Sequence, residues 1–299
     1  VDSTHVIWPR NTEYEIFSVG QKRHTLGALF FLNHKSVLNE GVPPWGPLAR
    51  SVRAEGTILD MDKLDWPFSM TLPHSTGARL YELANNHMWR TKFAFTKWNS
   101  RTPGFLQPPA GNTTGNEEEW MNYTFGQYYT LLNAGFPIVP TAGSANGVHP
   151  VPAGFSRVYV HQPNGFSYEE WLDGLKRGRS FVTTGPMLFA KVNGQLPGTT
   201  ITLDRDGGEV TINGEVISET PVSFLEIVVN GQPVLKVRAR PKATPSGAHQ
   251  ITFSAELPIK TSGWIAVRCF EERHGGRLRF AHTGQWTVNV PGKPLRPSP

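Results

Sequence analysis

The chain alternates short apolar runs with amphipathic stretches up to about residue 190, and closely spaced β-type segments follow. Four runs in the first part each end in polar residues. Gly27–Leu32 leads into Asn33-His34, Thr57–Leu59 into Asp60-Met61-Asp62-Lys63, Arg79–Ala84 into Asn85-Asn86-His87, and Phe136–Pro140 into Thr141–Asn146. Continuous apolar runs predict strands buried on both faces, and polar clusters at their ends describe the mouth of an α/β barrel or open parallel sheet, where chemistry sits. A helix is predicted from Asn116 as N-cap, with Glu117–Glu119 in the first turn and Met121, Phe125, Tyr128 and Leu132 on one stripe; Gly135 ends it. A second runs from Ser167, with Glu170 three residues on, buries Trp171, Leu172 and Leu175, and closes at Gly178.

Beyond residue 188 the period changes to two. Glu209–Ile212 and Phe224–Val229 alternate, and Asn230-Gly231 before Val234–Val237 is a strong hairpin signal. With Ile251–Ala255, Trp264–Arg268, Leu278–Phe280 and Trp286–Val288, this part reads as an antiparallel β-sandwich. The predicted division is an α/β domain over 1–187, a β-sandwich domain over 188–290 and a Pro-rich tail over 291–299.

Composition narrows the class. The 299 residues are 38% hydrophobic and 18% charged, with 30 Gly and 25 Pro, which fits a loop-rich globular protein and excludes coiled coil and collagen. No apolar run approaches the roughly 18 residues of a membrane span. Cys269 is the single cysteine, which excludes an internal disulfide framework and Cys-rich zinc modules. The net charge of +5 comes from scattered basic residues without a recognition-helix or aromatic RNA-binding pattern, so a nucleic-acid partner is not expected; an anionic or small-molecule substrate is. The chain starts at Val1 and reads as a processed or incomplete product, and the compartment reading leans to periplasmic or extracellular.

His87 is the leading chemical candidate. An imidazole after a strand that carries Glu82, with Asn85 and Asn86 beside it, suits a metal ligand or proton relay, and also a histidine bonded to local backbone. Asp60 and Asp62 are two apart, so a strand points both the same way; paired carboxylates hold a metal or share a proton, and Lys63 can neutralise them. A surface turn explains the same pair. His34, His24, and Ser144 with His149 around the Gly-rich 142–147 turn are weaker candidates of the same kind.

The block Leu131–Pro137, Thr141–His149 and Gly154–His161, and the block Tyr168–Pro186, resemble the carbamate-hydrolase (carbaryl hydrolase-like) branch of the PHP, polymerase-and-histidinol-phosphatase, metallohydrolase superfamily. Glu82–His87 extends the likeness forward, and Val192–Gly198 with Ser262–Arg268 extends it into the trailing β-domain. The resemblance implies an α/β fold: a distorted or incomplete PHP-type β/α barrel, followed by the antiparallel β-sandwich. It implies hydrolysis of an ester, amide or carbamate by a water activated on zinc, iron or manganese. His87, Glu82 and Asp60 would be the metal ligands, and His87, Asn86, Asp62 and Lys63 the catalytic set. The chain departs from the family pattern in lacking an opening His-x-His, in carrying Ala145 after Gly143-Ser144, and in reading Gln21-Lys22-Arg23 where relatives carry an acid. Missing ligands would come from an absent N-terminal segment or a partner chain. The alternative expectation is a degenerate, non-catalytic binding or structural protein.

Overall fold

The computed structural model describes residues 10–15, 18–19, 22–23, 27–38, 40–63, 69–89, 117–147, 150–222, 224–238, 240–275 and 277–296, with backbone only at 18–19, 22–23 and 119. His24, His149, Asn116 and the long 101–115 loop lie outside the described residues. In chain order the first half runs β1 (Thr12–Glu15), β2 (Ser18–Val19), β3 (Lys22–Arg23), β4 (Ala28–Leu32), α1 (Trp45–Ala54), β5 (Ile58–Met61), α2 (Leu72–Thr76), β6 (Leu80–Ala84), α3 (Glu117–Asn133), β7 (Val139–Ala142), β8 (Arg157–Val160), α4 (Tyr168–Arg177) and β9 (Ser180–Thr183). The second half is β10 (Met187–Val192), β11 (Thr200–Thr202), β12 (Gly208–Ser218), β13 (Phe224–Val229), β14 (Gln232–Arg238), β15 (Lys242–Ala243), β16 (His249–Ile259), β17 (Gly263–Arg273), β18 (Arg277–Thr283) and β19 (Trp286–Asn289).

The first sheet has five strands in the order β1-β4-β5-β6-β7. β5, β6 and β7 are parallel, while β1 and β4 join antiparallel. This corrects the expected barrel. Strands take 43% of the structure and helix 20%, with four α-helices, and the sheets are open. The physical reason lies in the pairing: a β/α barrel needs each strand to run parallel to the next and the last to close on the first. Here the two antiparallel strands make one edge and β7 the other, so no helix-ringed barrel forms among the described residues. The PHP-domain and hydrolase labels that went with the barrel thereby lose their structural support. The sandwich character of the second part fits what is seen.

That second part stacks a four-stranded sheet, β10-β12-β16-β15, on an eight-stranded one containing β11-β19-β17-β18-β9-β8, with β13 and β14 attached at β17. Alternation supplies the core: Val210, Ile212 and Val216 of β12 meet Ile227, Ile265, Val267 and Trp286 from the facing sheet. Asn230 (φ 50) and Gly231 (φ 87) both take the left-handed conformation that a tight hairpin between β13 and β14 requires. Strands β8 and β9 hydrogen-bond into the eight-stranded sheet through β18.

Helix α3 joins the two parts. Its predicted stripe is buried, but so are Trp120, Thr124, Gln127, Tyr129 and Leu131, so the helix is covered on more than one side. Tyr81 of β6 donates to the Thr124 carbonyl on one flank, and Tyr129 Oη lies 2.8 Å from His282 Nε2 of β18 on the other. Glu117 at the helix start accepts from Arg277 Nε at 2.6 Å and from the Leu278 amide at 2.5 Å. Each fully buried aromatic here contributes roughly 1.5–3 kcal/mol. Helix α4 begins and ends as its sequence predicts, with the Ser167 side chain accepting from the Glu170 amide at 3.3 Å and Gly178 (φ 75) ending the helix; Leu172 and Leu175 are buried, while Trp171 is only partly so. No described helix is long and apolar enough to cross a membrane.

Candidate functional site

Leu172 and Leu175 of α4 pack on Ile58, Leu80 and Val139, near the starts of the three parallel strands. One pleat further along, the same face carries Asp60, Glu82 and Thr141, because side chains two apart share a face. The cross-strand register brings β1 to this face as well: Glu13 pairs with Phe30, and Phe30 with Asp60. Asp62 continues the β5 row, and Glu15 continues the β1 row. Five carboxylates therefore gather near the carboxyl ends of parallel strands, where open α/β sheets bind ligands.

Lys63 sits among them. Its Nζ lies 2.5 Å from Glu13, 2.9 Å from Glu15 and 2.7 Å from Asp62. Thr141 Oγ1 donates to Asp60 Oδ2 at 2.6 Å. Asp60 Oδ1 and Asp62 Oδ1 are buried with no hydrogen-bond partner. Glu82 leans against the turn after β7: a Cβ built on Gly143 would lie 1.7 Å from Glu82 Oε1.

Burial dominates the titration of these groups. It pushes the Asp60 carboxyl up to about 7, against the hydrogen bond from Thr141. Burial also raises Glu82 above the ordinary range, helped by the neighbouring charges of Asp62 and Asp60. Asp62 is also raised by burial, although the Lys63 ammonium opposes it. Burial acts the same way on Glu13, but hydrogen bonds from Asp62 and Lys63 overcome it and hold Glu13 at about 2. Burial works against the Lys63 ammonium, yet the charge of Asp62 outweighs it and its pKa is raised. Glu15, also on β1, is raised by burial and by the hydrogen bond it shares with Glu13, so Glu13 is the acid held ionised while Glu15, Asp60, Asp62 and Glu82 are pushed toward keeping a proton.

The sequence candidates fall into two groups. Asp60, Asp62, Lys63 and Glu82 come together. His87 and Asn86 lie in a turn after β6; the Asn85 side chain caps it by accepting the His87 amide at 2.9 Å, and the His87 ring lies 5.5 Å from that of Trp120 on α3. Among the described residues, the metal-type group whose ligand atoms all lie within 4.8 Å of one another is Glu13, Glu15 and Asp62, which contains neither His87, Glu82 nor Asp60. His34 is a structural histidine: it is buried, with Nδ1 2.9 Å from the Ser36 carbonyl and Nε2 2.9 Å from Thr12 Oγ1. Ser144 braces its turn against Ser156, whose amide donates to Ser144 Oγ at 3.1 Å. Glu13 and Glu15 escaped the sequence reading. The signal was there in Glu13-Tyr14-Glu15, the same two-residue spacing that marked Asp60 and Asp62.

No model of a known protein family matches this sequence, and no curated protein matches it.

Proposed function

We propose that the acidic face is a hydrolytic centre in which Glu13, Glu15 and Asp62 hold a divalent cation and Asp60 and Glu82 manage protons. The observation that carries this reading is the gathering of five carboxylates from the β1, β5 and β6 rows on one face, three of them on the Lys63 ammonium, with buried Asp60 and Asp62 oxygens left unpaired. A donor set made only of carboxylate oxygens suits a hard cation; of the metals that the resemblance implies, manganese fits best. Lys63 Nζ stands where such an ion would sit, so loading requires that side chain to swing out. When bound, the cation supplies an acidified water and polarises the scissile carbonyl. Thr141 donates to Oδ2 of Asp60, which leaves Oδ1 as the oxygen that carries the Asp60 proton, and burial keeps it there up to about pH 7. That is the condition of a general acid at neutral pH. Glu82 on β6 is a second acid that burial pushes toward keeping its proton. The bond class, an ester, amide or carbamate, comes from the resemblance of residues 131–198 to carbamate hydrolases.

A second reading, a non-catalytic binding or structural protein, is favoured by the same lysine, because Lys63 already neutralises the cluster. Protein stripped with chelator and titrated with manganese, then assayed on aryl esters and aryl carbamates, separates the two. One bound ion per chain, with turnover that needs it and falls at least ~100-fold in Asp62→Asn and Glu82→Gln, supports the hydrolase. Absence of both ion binding and turnover in the parent overturns it.

A further inference from the structure

We propose that the open edge of the β-sandwich binds an amphipathic organic anion: an apolar body carrying one carboxylate or sulfonate group. The two stacked sheets end side by side here, one at β8 and the other at β10, and β9 runs directly into β10 as the chain changes sheets. No strand closes this edge among the described residues, and a cavity of about 620 Å³ is left between the two terminal strands. That volume lies within the range of small-molecule sites, roughly 300–1,000 Å³.

One wall is made of rings that position each other. Tyr159 stacks on Phe181 with centroids 5.2 Å apart and an interplanar angle of 13°, and Phe189 meets Phe181 edge-on at 5.5 Å and 74°. Tyr159 is 38% exposed and Phe189 43%, unusual for large apolar side chains on adjoining strands. Mutual stacking fixes the rings before any ligand arrives, so little side-chain entropy is lost on binding.

The charges choose the ligand's sign. Arg179 and Lys191 are exposed, line the same cavity and form no salt bridge among the described residues. The acid in the lining, Glu215, keeps its charge but is held by Gln250 Nε2 at 2.7 Å, and the two cations outnumber it. An apolar body on the rings with its anionic group toward Arg179 and Lys191 satisfies both features; a cationic ligand satisfies only one. None of the five carboxylates of the acidic face lines this cavity, so the two sites are separate.

Fluorescence titration of the full chain with anilinonaphthalene sulfonate, and in parallel with its uncharged parent phenylnaphthylamine, tests the assignment. We expect saturable binding of the sulfonate at one site, displaced by dodecanoate but not by dodecanol. The double variant Arg179→Gln/Lys191→Gln should weaken the sulfonate about tenfold and leave the uncharged dye unchanged, as the loss of two partly exposed charge contacts predicts. Phe189→Ala should weaken both dyes. All three side chains are exposed, so the variants keep the fold, which circular dichroism checks. Unsaturable dye uptake, or equal affinity for both dyes with no effect of the charge variant, overturns the proposal. So does self-association of the chain that abolishes dye binding, which would give this edge to a second copy.

Discussion

Protonation of His282 should unlock the contact between helix α3 and the eight-stranded sheet. The ring is fully buried, with Nδ1 2.7 Å from the Thr283 carbonyl and Nε2 2.8 Å from Tyr129 Oη. A carbonyl only accepts, so Nδ1 carries the hydrogen and Nε2 takes the Tyr129 proton. The Tyr129 oxygen in turn accepts from Arg268 at 3.4 Å. A second proton on the ring would meet a hydroxyl already committed and a guanidinium close by. Burial first, and then the Arg268 charge, accordingly lower the His282 pKa from its ordinary 6.5 to about 3. The sign follows from linkage: the unfolded chain binds this proton below about 6.5 and the folded one does not, so stability is complete above that pH and drains away as pH falls toward 3. At about 1.4 kcal/mol per pH unit, going from pH ~6.5 to ~4 removes about 3 kcal/mol. Urea unfolding of the parent and of His282→Gln across that window isolates the contribution, because all other titrations cancel in the difference. The gap between the two should change by about that amount, with the parent losing ground on acidification. Carbon-detected NMR of the ring gives a direct check without a variant. A His282 signal that titrates near 6.5, or a parent–variant gap that is flat with pH, refutes the reasoning.

Three further outcomes follow from the contacts. Lys63→Met strands the charges of Glu13, Glu15 and Asp62 and should cost about 3–5 kcal/mol in denaturant unfolding, recovered by millimolar manganese if the acids hold a cation. Gly143→Ala places a methyl 1.7 Å from the present position of Glu82 Oε1, so Glu82 must turn away; on the proposed hydrolytic role, turnover of the aryl esters should fall at least ~10-fold while thermal unfolding changes by only ~1 kcal/mol. Asn133→Ala orphans the buried Trp264 Nε1–H, which now donates to Asn133 Oδ1 at 2.8 Å, and should lower stability by about 1–3 kcal/mol in thermal denaturation.

Local features were legible in the sequence wherever the cause was local. Ser167 and Gly178 bound α4 because cap chemistry acts within one turn, and Asn230-Gly231 makes its hairpin because both residues tolerate positive φ. The spacing of Asp60 and Asp62 placed both on one face for the same reason. Pairing between distant strands was not legible. Nothing in Glu13-Tyr14-Glu15 says that β1 lies antiparallel on β4 and so delivers two acids to Lys63. The apolar run 28–32 looks the same whether its neighbours are parallel or antiparallel, and that ambiguity separates a barrel from an open sheet. Helix α3 shows one apolar stripe in the sequence, whereas polar Thr124 and Gln127 are buried too, because walls on more than one side, β6 and β18 among them, enclose the helix. For His87 the sequence shows a polar residue after a strand and says nothing about which neighbour its ring will meet, here Trp120.

The double covering of α3 also bears on how the molecule is made. Glu117 finds Leu278 161 positions later, and Tyr129 finds His282 153 positions later. At a translation rate of about 5–20 residues per second, the nascent helix waits roughly 8–30 s for its far wall. Throughout that interval Phe125 and Tyr129, whose partners Trp264, Phe270, Phe280 and His282 come later, form a greasy rail outside the ribosome, a surface fit for chaperone capture. Slower synthesis between residues 133 and 277 should prolong that exposure and lower the yield of native protein.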